Sequence, residues 1–239
     1  RSIIEFEVPE EAKTLVAEEK KLWEAIQGSK GDDGTDTYDL VNKLNEMIND
    51  ASIGGTDADW EALIESLKST KRFLFEEMSK LRHLVAKVKL PFVLEHIENI
   101  LENKDKLVVF GHHRDVLKAI ADKYNHGKSV LVYGAMSNEE RDLAVQRFQN
   151  DPECCLFVGS MSVAGLGLTL TAASHVIFAE LDWVPGKLTQ AEDRLHRIGQ
   201  EANSILIQHL VFEDSLDTFM AKKIIAKQKS IDAALNRRD

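Results

Sequence analysis

The stretch that decides the fold is Leu156-Phe-Val-Gly-Ser-Met-Ser-Val-Ala-Gly165-Leu-Gly167-Leu-Thr169-Leu-Thr171. It joins a short apolar run to a glycine-containing loop and a helix-like continuation. A strand, a glycine loop and a helix in this order let backbone N–H groups approach an anion. A Gly-x-Gly pair is weak support by itself, so an anion-binding loop at Gly165 and Gly167 is a hypothesis that depends on the surrounding pattern.

That pattern is an alternation of apolar runs with amphipathic segments. We expect strands at about 106–110, 129–133, 154–159, 175–180 and 204–211. Pro91 should stop one helical region and start a helix to about residue 102, and further helices are expected near 114–125, 137–149, 163–172, 187–197 and 215–235. Continuously apolar strands separated by helices predict an α/β fold with a parallel sheet covered on both faces. Ligands bind such sheets at the carboxyl ends of the strands, so the loops after Phe110, Tyr133, Val158 and Glu180 should share one edge.

Residues 1–85 are predicted to be helical after a short extended entry at 1–9. Helices are expected at about 9–27 and 36–49, and a third should begin at Thr56 or Asp57, either of which can cap it. This part holds 19 of the 40 acidic side chains but only 11 of the 30 basic ones, within a net charge of −10. Because phosphate neutralisation drives non-specific DNA affinity, tight DNA binding by this chain alone is not expected.

The segment Gln190-Ala-Glu-Asp-Arg194-Leu-His-Arg197-Ile-Gly-Gln200 carries the candidate chemistry. Its spacing predicts that Gln190, Arg194 and Arg197 lie on one helical stripe, with both arginines exposed. Two guanidinium groups aimed at one point suit the charge on a transferring phosphoryl group. The alternative is a solvated ion pair between Asp193 and Arg197, worth roughly 0.3–0.5 kcal/mol, and spacing alone leaves both interpretations open.

Taken in order, the loop at 160–171, the strand at 175–180, the turn at 183–186 and the arginine segment closely resemble motifs V and VI of superfamily-two helicases. The resemblance is to the Swi/Snf-type DNA translocases, because DEAD-box RNA helicases typically have an arginine where this chain has Gln200. Lys106-Leu-Val-Val-Phe-Gly-His-His113 resembles motif IV, and with Phe178-Ala-Glu-Leu-Asp-Trp183 it is similar to the annealing-helicase, HARP-like branch. The resemblance covers residues 86–239, which implies a RecA-like C-terminal lobe there and a helical insertion at 1–85.

The resemblance also implies roles for individual residues. Arg194 and Arg197 would reach the nucleotide phosphates, and Gln190 would orient them or bridge to another lobe. Gly165 and Gly167 would let the backbone approach nucleotide or DNA. The DNA backbone would be contacted by His112, His113, Gly134 and either Thr169 or Thr171, and the loops near His112, Gly134 and Thr171 should lie together. Trp183 would stack on a base or ribose, or else pack against the sheet.

Two elements of a complete motor are missing from the sequence. Gly127-Lys-Ser129 is no P-loop, since Asp122 stands where the first glycine belongs, and no Asp-Glu-x-His/Asp segment supplies a magnesium carboxylate. We therefore expect the second half of a two-lobed motor cut from a longer protein. ATP and Mg would be bound mainly by an N-terminal RecA-like lobe, double-stranded or forked DNA would be the other partner, and this chain alone should be inactive.

The alternatives are an RNA helicase lobe and a non-catalytic doubly wound domain that binds a small ligand or protein. The adjacent Cys154 and Cys155 lack further ligands, so no metal site is expected. No apolar run approaches the ~20 residues of a membrane helix, and no membrane partner is expected. The expected location is the cytoplasm of a prokaryote or phage host, or the nucleus, and not the secreted compartment.

Overall fold

The structure is a computed structural model that describes residues 1–28, 57–70, 72–102, 106–124, 127–164, 166–222 and 225. The helix expected at 36–49, Gly165 and the basic residues beyond 222 in the expected last helix lie outside these ranges. By the clustering of their contacts, the residues divide into two compact units. The first comprises 1–6, 86–182 and 186–211, and the second comprises 7–85, 183–185 and 212–239.

The elements of the chain are, in order, β1 Ser2–Phe6, α1 Glu10–Gly28, α2 Asp57–Thr70, α3 Arg72–Leu101, β2 Leu107–Gly111, α4 Arg114–Lys123, β3 Ser129–Val132, α5 Asn138–Asn150, β4 Leu156–Ser160, α6 Met161–Ala164, β5 His175–Phe178, α7 Pro185–Glu192 and β6 Leu206–Phe212. A further helical segment spans 216–222. Within the described ranges, no helix is long and apolar enough to span a membrane.

The first unit is built on a six-stranded sheet with the order β1-β6-β5-β2-β4-β3. β2 pairs in parallel with both β4 and β5, β3 pairs in parallel with β4, and β5 pairs in parallel with β6. Every residue of the central strands β2 and β4 is buried, as expected for strands covered on both faces. The predicted α/β fold with a RecA-like parallel sheet and flanking helices is confirmed.

One apolar core of this unit joins side chains from the sheet and from two helices. Val109 and Val158 come from the sheet, Leu117 and Ile120 from α4, and Ile97 from α3. The periodicity of α4 explains its packing, since its buried residues recur at 116, 117, 120 and 121 while its charged residues face solvent. Because only two residues separate α4 from β2, the N-terminus of α4 lies at the end of the sheet where β2 ends.

Pro91 does not end a helix, and the prediction that it would was wrong. It lies inside α3, which continues from Arg72 to Leu101. Proline removes one backbone donor, but it occupies an exposed position here. Ala86 before it and Val93 and Ile97 after it are buried in the same core. Packing of the flanking turns therefore outweighs the lost hydrogen bond.

Two other predicted helices are shorter than expected. α6 ends at Ala164, and residues 166–174 are turns and loop where a helix to 172 was predicted. Gly167 has a φ of +77°, which lies outside the helical region, and the N–H of Leu170 donates to the carbonyl of Arg194 at 2.8 Å. α7 ends at Glu192, not at 197, because tight turns follow in which the N–H of Leu195 donates to the carbonyl of Glu192.

The second compact unit contains α1 and α2 and the first half of α3. Its side chains pack around an aromatic group in which Trp183 lies 5.2 Å from Trp23 and 6.1 Å from Phe75, measured between ring centroids. The guanidinium of Arg82 lies 4.9 Å from the centre of the Trp183 ring. The indole therefore packs against side chains of its own unit, where packing against the sheet was the expected alternative to stacking on a base or ribose.

Candidate functional site

The carboxyl ends of three neighbouring strands meet at one edge of the sheet. Gly111 at the end of β2 is level with Ser160 at the end of β4, and Phe110 is level with Phe178 at the end of β5. The loops that follow these strands therefore lie at the same edge, as predicted. We call this the carboxyl edge; it carries the turn at 111–113, the loop at 133–137 and Glu180.

A buried carboxylate organises the turn after β2. Glu180 is 4% exposed and accepts hydrogen bonds from the backbone N–H of His112 at 2.9 Å and of His113 at 3.0 Å. Its other oxygen lies 2.5 Å from Nδ1 of His113. Burial favours a higher pKa for Glu180, but the hydrogen bond and charge of His113 and the two backbone donors outweigh it and lower the pKa below its ordinary 4.5. The carboxylate is therefore held ionised.

The loop after β3 is also at this edge. Gly134 is exposed, and a Cβ added there would lie 3.2 Å from Oγ of Ser162, which in turn lies 2.7 Å from Oγ of Ser160. Next to Gly134, Tyr133 lies under the guanidinium of Arg114, at 4.0 Å from the ring centre. Two of the predicted DNA-contact positions, His112 and Gly134, thus lie in loops of the same edge.

The two candidate arginines do not share a helical stripe, which corrects the prediction. Both follow the end of α7, and Arg194 is buried at 9% exposure where an exposed side chain was predicted. Gln190 is half-buried and lies inside α7. The tight turns after Glu192 rotate the arginines away from the helical positions that the spacing i, i+4 and i+7 requires.

Arg197 is engaged with the loop that contains the second glycine. Its Nη1 donates to the carbonyl of Gly167 at 2.7 Å and to Oγ1 of Thr169 at 3.3 Å. These contacts displace the alternative in which Arg197 served only as a surface partner of Asp193. The segment that carries the arginines and the loop at 166–173 are therefore joined directly.

Arg194 has a different environment. Its backbone carbonyl accepts from Leu170, but its Nε is buried and has no hydrogen-bond partner among the described residues. Burial, followed by the positive charge of Arg197, lowers the pKa of Arg194 from its ordinary value. A guanidinium with an unsatisfied donor beside a second positive charge is an environment that an anion would stabilise.

Thr171 does not lie at the carboxyl edge, contrary to the expectation that its loop would lie beside those of His112 and Gly134. Its Oγ1 accepts from Nε2 of Gln149, near the C-terminal end of α5, and the N–H of Ala172 donates to Oε1 of the same glutamine. Nζ of Lys106, the residue directly before β2, donates to the backbone carbonyl of the neighbouring Asp151. Thr171 is therefore near the amino ends of the strands, because the loop crosses the sheet before β5 begins.

Sequence reasoning missed three residues that organise these segments. In the sequence, Glu180 marks only a strand end, Gln149 belongs to none of the motifs, and Gln200 only distinguishes helicase branches. Nε2 of Gln200 donates to the carbonyls of Ala173 at 2.8 Å and Leu195 at 3.1 Å. The sequence feature that could have pointed to these three residues is a polar side chain at or near the end of a strand or helix. Within the described ranges, no group of three or more His, Cys, Asp or Glu residues could hold a metal ion.

Comparison with known proteins gives the class of this domain. Residues 90–199 match the helicase conserved C-terminal domain. The DNA annealing helicase and endonuclease ZRANB3 of Homo sapiens is 36% identical over 184 residues, which are 75% of this chain and 17% of that protein. The SWI/SNF-related matrix-associated actin-dependent regulator of chromatin subfamily A-like protein 1 of Xenopus tropicalis is 40% identical over 154 residues, 62% of this chain and 16% of that protein.

Solved structures show the same fold. The SWI2/SNF2 ATPase core domain of Sulfolobus solfataricus aligns with a TM-score of 0.58 at 22% identity, over 95% of this chain and 42% of that chain. The same core in complex with double-stranded DNA aligns with a TM-score of 0.53 at 23% identity, over 89% of this chain and 40% of that one. The chain contains a helicase C-terminal domain. Over this domain it is similar to SWI/SNF-related proteins, and it spans 16% to 17% of the length of the two relatives named above.

Proposed function

We propose that this chain is the second motor lobe of an ATP-dependent translocase that acts on double-stranded DNA, as a remodelling or annealing helicase. The observation that carries the proposal is the buried guanidinium of Arg194, whose Nε is without a partner in the described part of the chain. Arg197, three residues later in the sequence, adds a second positive charge. In this proposal the triphosphate of ATP is the anion that the side chains of Arg194 and Arg197 contact.

ATP and Mg would be held mainly by an N-terminal RecA-like lobe of the same protein. This chain would contribute Arg194, Arg197 and Gln190 to the nucleotide, and the backbone at Gly165 and Gly167 would approach nucleotide or DNA. Gly165 lies outside the described residues. Residues 86–239 would form the motor lobe and residues 1–85 a helical insertion, so that the boundary between them is part of the proposal.

Contact with DNA would be made by the carboxyl edge and by the loop that follows β4. His112, His113 and Gly134 would contact phosphates at the edge. Of the two threonines of the loop, Thr169, which accepts from Arg197, would contact them, since Thr171 is bonded to Gln149 near the amino ends of the strands. The structure of a family member with double-stranded DNA supports duplex DNA as the partner. Such contacts would position the protein on DNA without reading base sequence, so affinity should fall steeply with salt and vary little between sequences.

The test is DNA-stimulated ATP hydrolysis by the full-length protein that contains this chain, compared with hydrolysis by the chain alone. We expect turnover only from the full-length protein, and stimulation by duplex DNA that exceeds stimulation by RNA. Turnover by the isolated chain after rigorous purification would refute the need for another lobe. Stimulation by RNA alone would favour the RNA helicase alternative.

The position of DNA is tested separately by amide-exchange footprinting of the full-length protein on duplex DNA. We expect protection in the turn at 111–113, in the loop at 133–137 and in the loop at 166–173. Protection confined to residues 10–80, with none in these three segments, would contradict the proposed track.

A further inference from the structure

The carboxylate of Glu180 uses the backbone donors that lead into α4. A helix N-terminus presents unpaired N–H groups and a partial positive charge, which commonly bind anions. Here the N-cap residue His113 has no side-chain cap of its own. The N–H groups of His112 and His113 donate instead to Oε2 of Glu180, which comes from the neighbouring strand end. An incoming phosphate therefore cannot take these two donors without displacing a buried carboxylate.

Glu180 and Leu117 pack closely against the start of the turn. A Cβ added at Gly111 would lie 3.0 Å from Oε2 of Glu180 and 2.9 Å from Cδ2 of Leu117, both closer than an ordinary contact. The N–H of Ala179 donates to the carbonyl of Phe110 at 2.9 Å, which keeps the chain before Glu180 level with the end of β2. The position of residues 111–113 thus depends on the length and charge of one side chain.

The residues that this turn presents outwards carry positive charge or hydrogen-bond donors. His112 is exposed, and its ring lies 5.1 Å from that of His113 in an edge-to-face arrangement. Arg114, the exposed first residue of α4, stacks on Tyr133 and donates from Nη2 to its hydroxyl at 2.9 Å. A guanidinium held over a ring and bonded to its hydroxyl keeps further donors and has lost part of its rotational freedom, which favours phosphate binding.

We propose that Glu180 is a positioning residue for a phosphate contact made by the side chains of Arg114 and His112. The inference rests on the proposed DNA-binding function and adds Arg114 to it. Glu180 occupies the backbone donors of the turn, and this directs the phosphate to the two exposed side chains. Tyr133 holds the guanidinium in place. Loss of the Glu180 charge releases the turn and misplaces both contacts.

The experiment measures DNA-stimulated ATP hydrolysis by the full-length protein as a function of the concentration of a duplex DNA. We expect Arg114→Ala and Glu180→Gln each to raise the half-saturating DNA concentration about tenfold, since each removes or misplaces a charged hydrogen bond. The kcat at saturating DNA and the KM for ATP should stay within about twofold. Arg114→Ala should also lower the slope of log affinity against log salt by about one.

A double-mutant cycle distinguishes positioning from a separate structural role. Glu180→Gln combined with Arg114→Ala should raise the half-saturating DNA concentration no further than either change alone, because the first substitution already misplaces the second residue. Glu180→Asp, which keeps the charge on a shorter side chain, should restore part of the affinity. Asp122→Asn, at the other end of α4 in an exposed pair with Lys118, is the matched charge control and should have no effect.

Several results would overturn the inference. One is a half-saturating DNA concentration within twofold of wild type for Arg114→Ala or for Glu180→Gln. Another is an additive double mutant, and a third is a loss of kcat with unchanged DNA dependence. If Glu180→Gln does not fold, Glu180→Asp takes its place and should give an intermediate loss of DNA affinity; an unchanged affinity there would equally reject the role. A wild-type protein that DNA does not stimulate would instead reject the proposed function itself.

Discussion

Two buried charges in the first compact unit have opposite hydrogen-bonding situations. The carboxylate of Glu180 has three donors within 3.0 Å, all from the turn at 112–113. The guanidinium of Arg194 has a buried Nε with no partner among the described residues, and a second arginine nearby. Both side chains are largely withdrawn from solvent, at 4% and 9% exposure, but Glu180 lies much deeper in the protein than Arg194.

Glu180 makes its hydrogen bonds within the chain, whereas Arg194 keeps a donor without a partner among the described residues. Burying an ionised group costs several kcal/mol unless its hydrogen bonds are made. Glu180 makes them within the chain, and its pKa is lowered accordingly. Arg194 does not, and its pKa is lowered by burial, which is the direction that opposes its charge. A residue kept in this state is a candidate for contact with an anion from outside the chain.

The largest effect that this comparison predicts is on catalysis at Arg194. In the full-length protein, Arg194→Met should reduce kcat for DNA-stimulated hydrolysis by ~10³–10⁵, because the guanidinium is proposed to stabilise charge on the transferring phosphoryl group. The thermal midpoint should be unchanged or higher, since methionine keeps the packing of the stem and removes an unsatisfied donor. A clear fall in the thermal midpoint with hydrolysis intact would make Arg194 structural and remove the contrast with Glu180.

We expect Arg197→Ala to reduce kcat less than Arg194→Met does, and to make the loop at 166–170 less well ordered. Arg197→Ala removes one proposed donor to the phosphates, worth about 10²–10³ in kcat. It also removes the hydrogen bonds to Gly167 and Thr169, so amide exchange at residues 166–170 should accelerate while the strands keep their protection. Unchanged exchange in this loop would show that the loop does not depend on Arg197.

Glu180 should also contribute to stability, in a pH-dependent way. Glu180→Gln is expected to lower the free energy of unfolding at pH 7 by about 1–3 kcal/mol, because buried donors lose a charged acceptor. The folded pKa lies below the ordinary 4.5, so this stabilisation is complete above that pH and is lost as pH falls through the folded value.

Denaturant titrations of wild type and Glu180→Gln between neutral and acid pH would measure this difference. Asp122→Asn is the control, because its pair with Lys118 is more than half exposed and should change stability by less than about 0.5 kcal/mol. A difference between wild type and Glu180→Gln that grows as pH falls would contradict the assignment of an ionised, fully bonded carboxylate.

The smallest effect concerns the loop at 166–173. Gln149→Ala removes the hydrogen bonds to Thr171 and Ala172 and should cost about 1 kcal/mol of unfolding free energy. Gln146→Ala, at an exposed position of the same helix, is the matched control and should be close to neutral. Equal exchange rates at Ala172 in the two variants would show that Gln149 does not anchor this loop.

Particular elements show how far the sequence could predict the fold. The strands at 107–111 and 156–160 were recognisable as continuous apolar runs, because both faces of each are covered. The helix at 138–150 begins with Ser137 and Glu140, which form the capping box that such a spacing predicts. The failures at Pro91, 166–172 and 193–197 share a cause, since in each the local preference for helix or break was overridden by contacts with distant residues.

The amino-acid sequence by itself determined the α/β class, the order of strands and helices, and the motif resemblance that identifies the helicase domain. These follow from local periodicity and from residue types at short spacing, which need no knowledge of long-range contacts. Only the tertiary structure decided that Glu180 closes the turn at 111–113, that Arg197 bonds to the loop at 167–169, and that Arg194 is buried with an open donor. The contacts of Glu180 and Arg197 join residues 28 to 68 positions apart. Their geometry arises when parallel strands bring separate loops to common edges of the sheet.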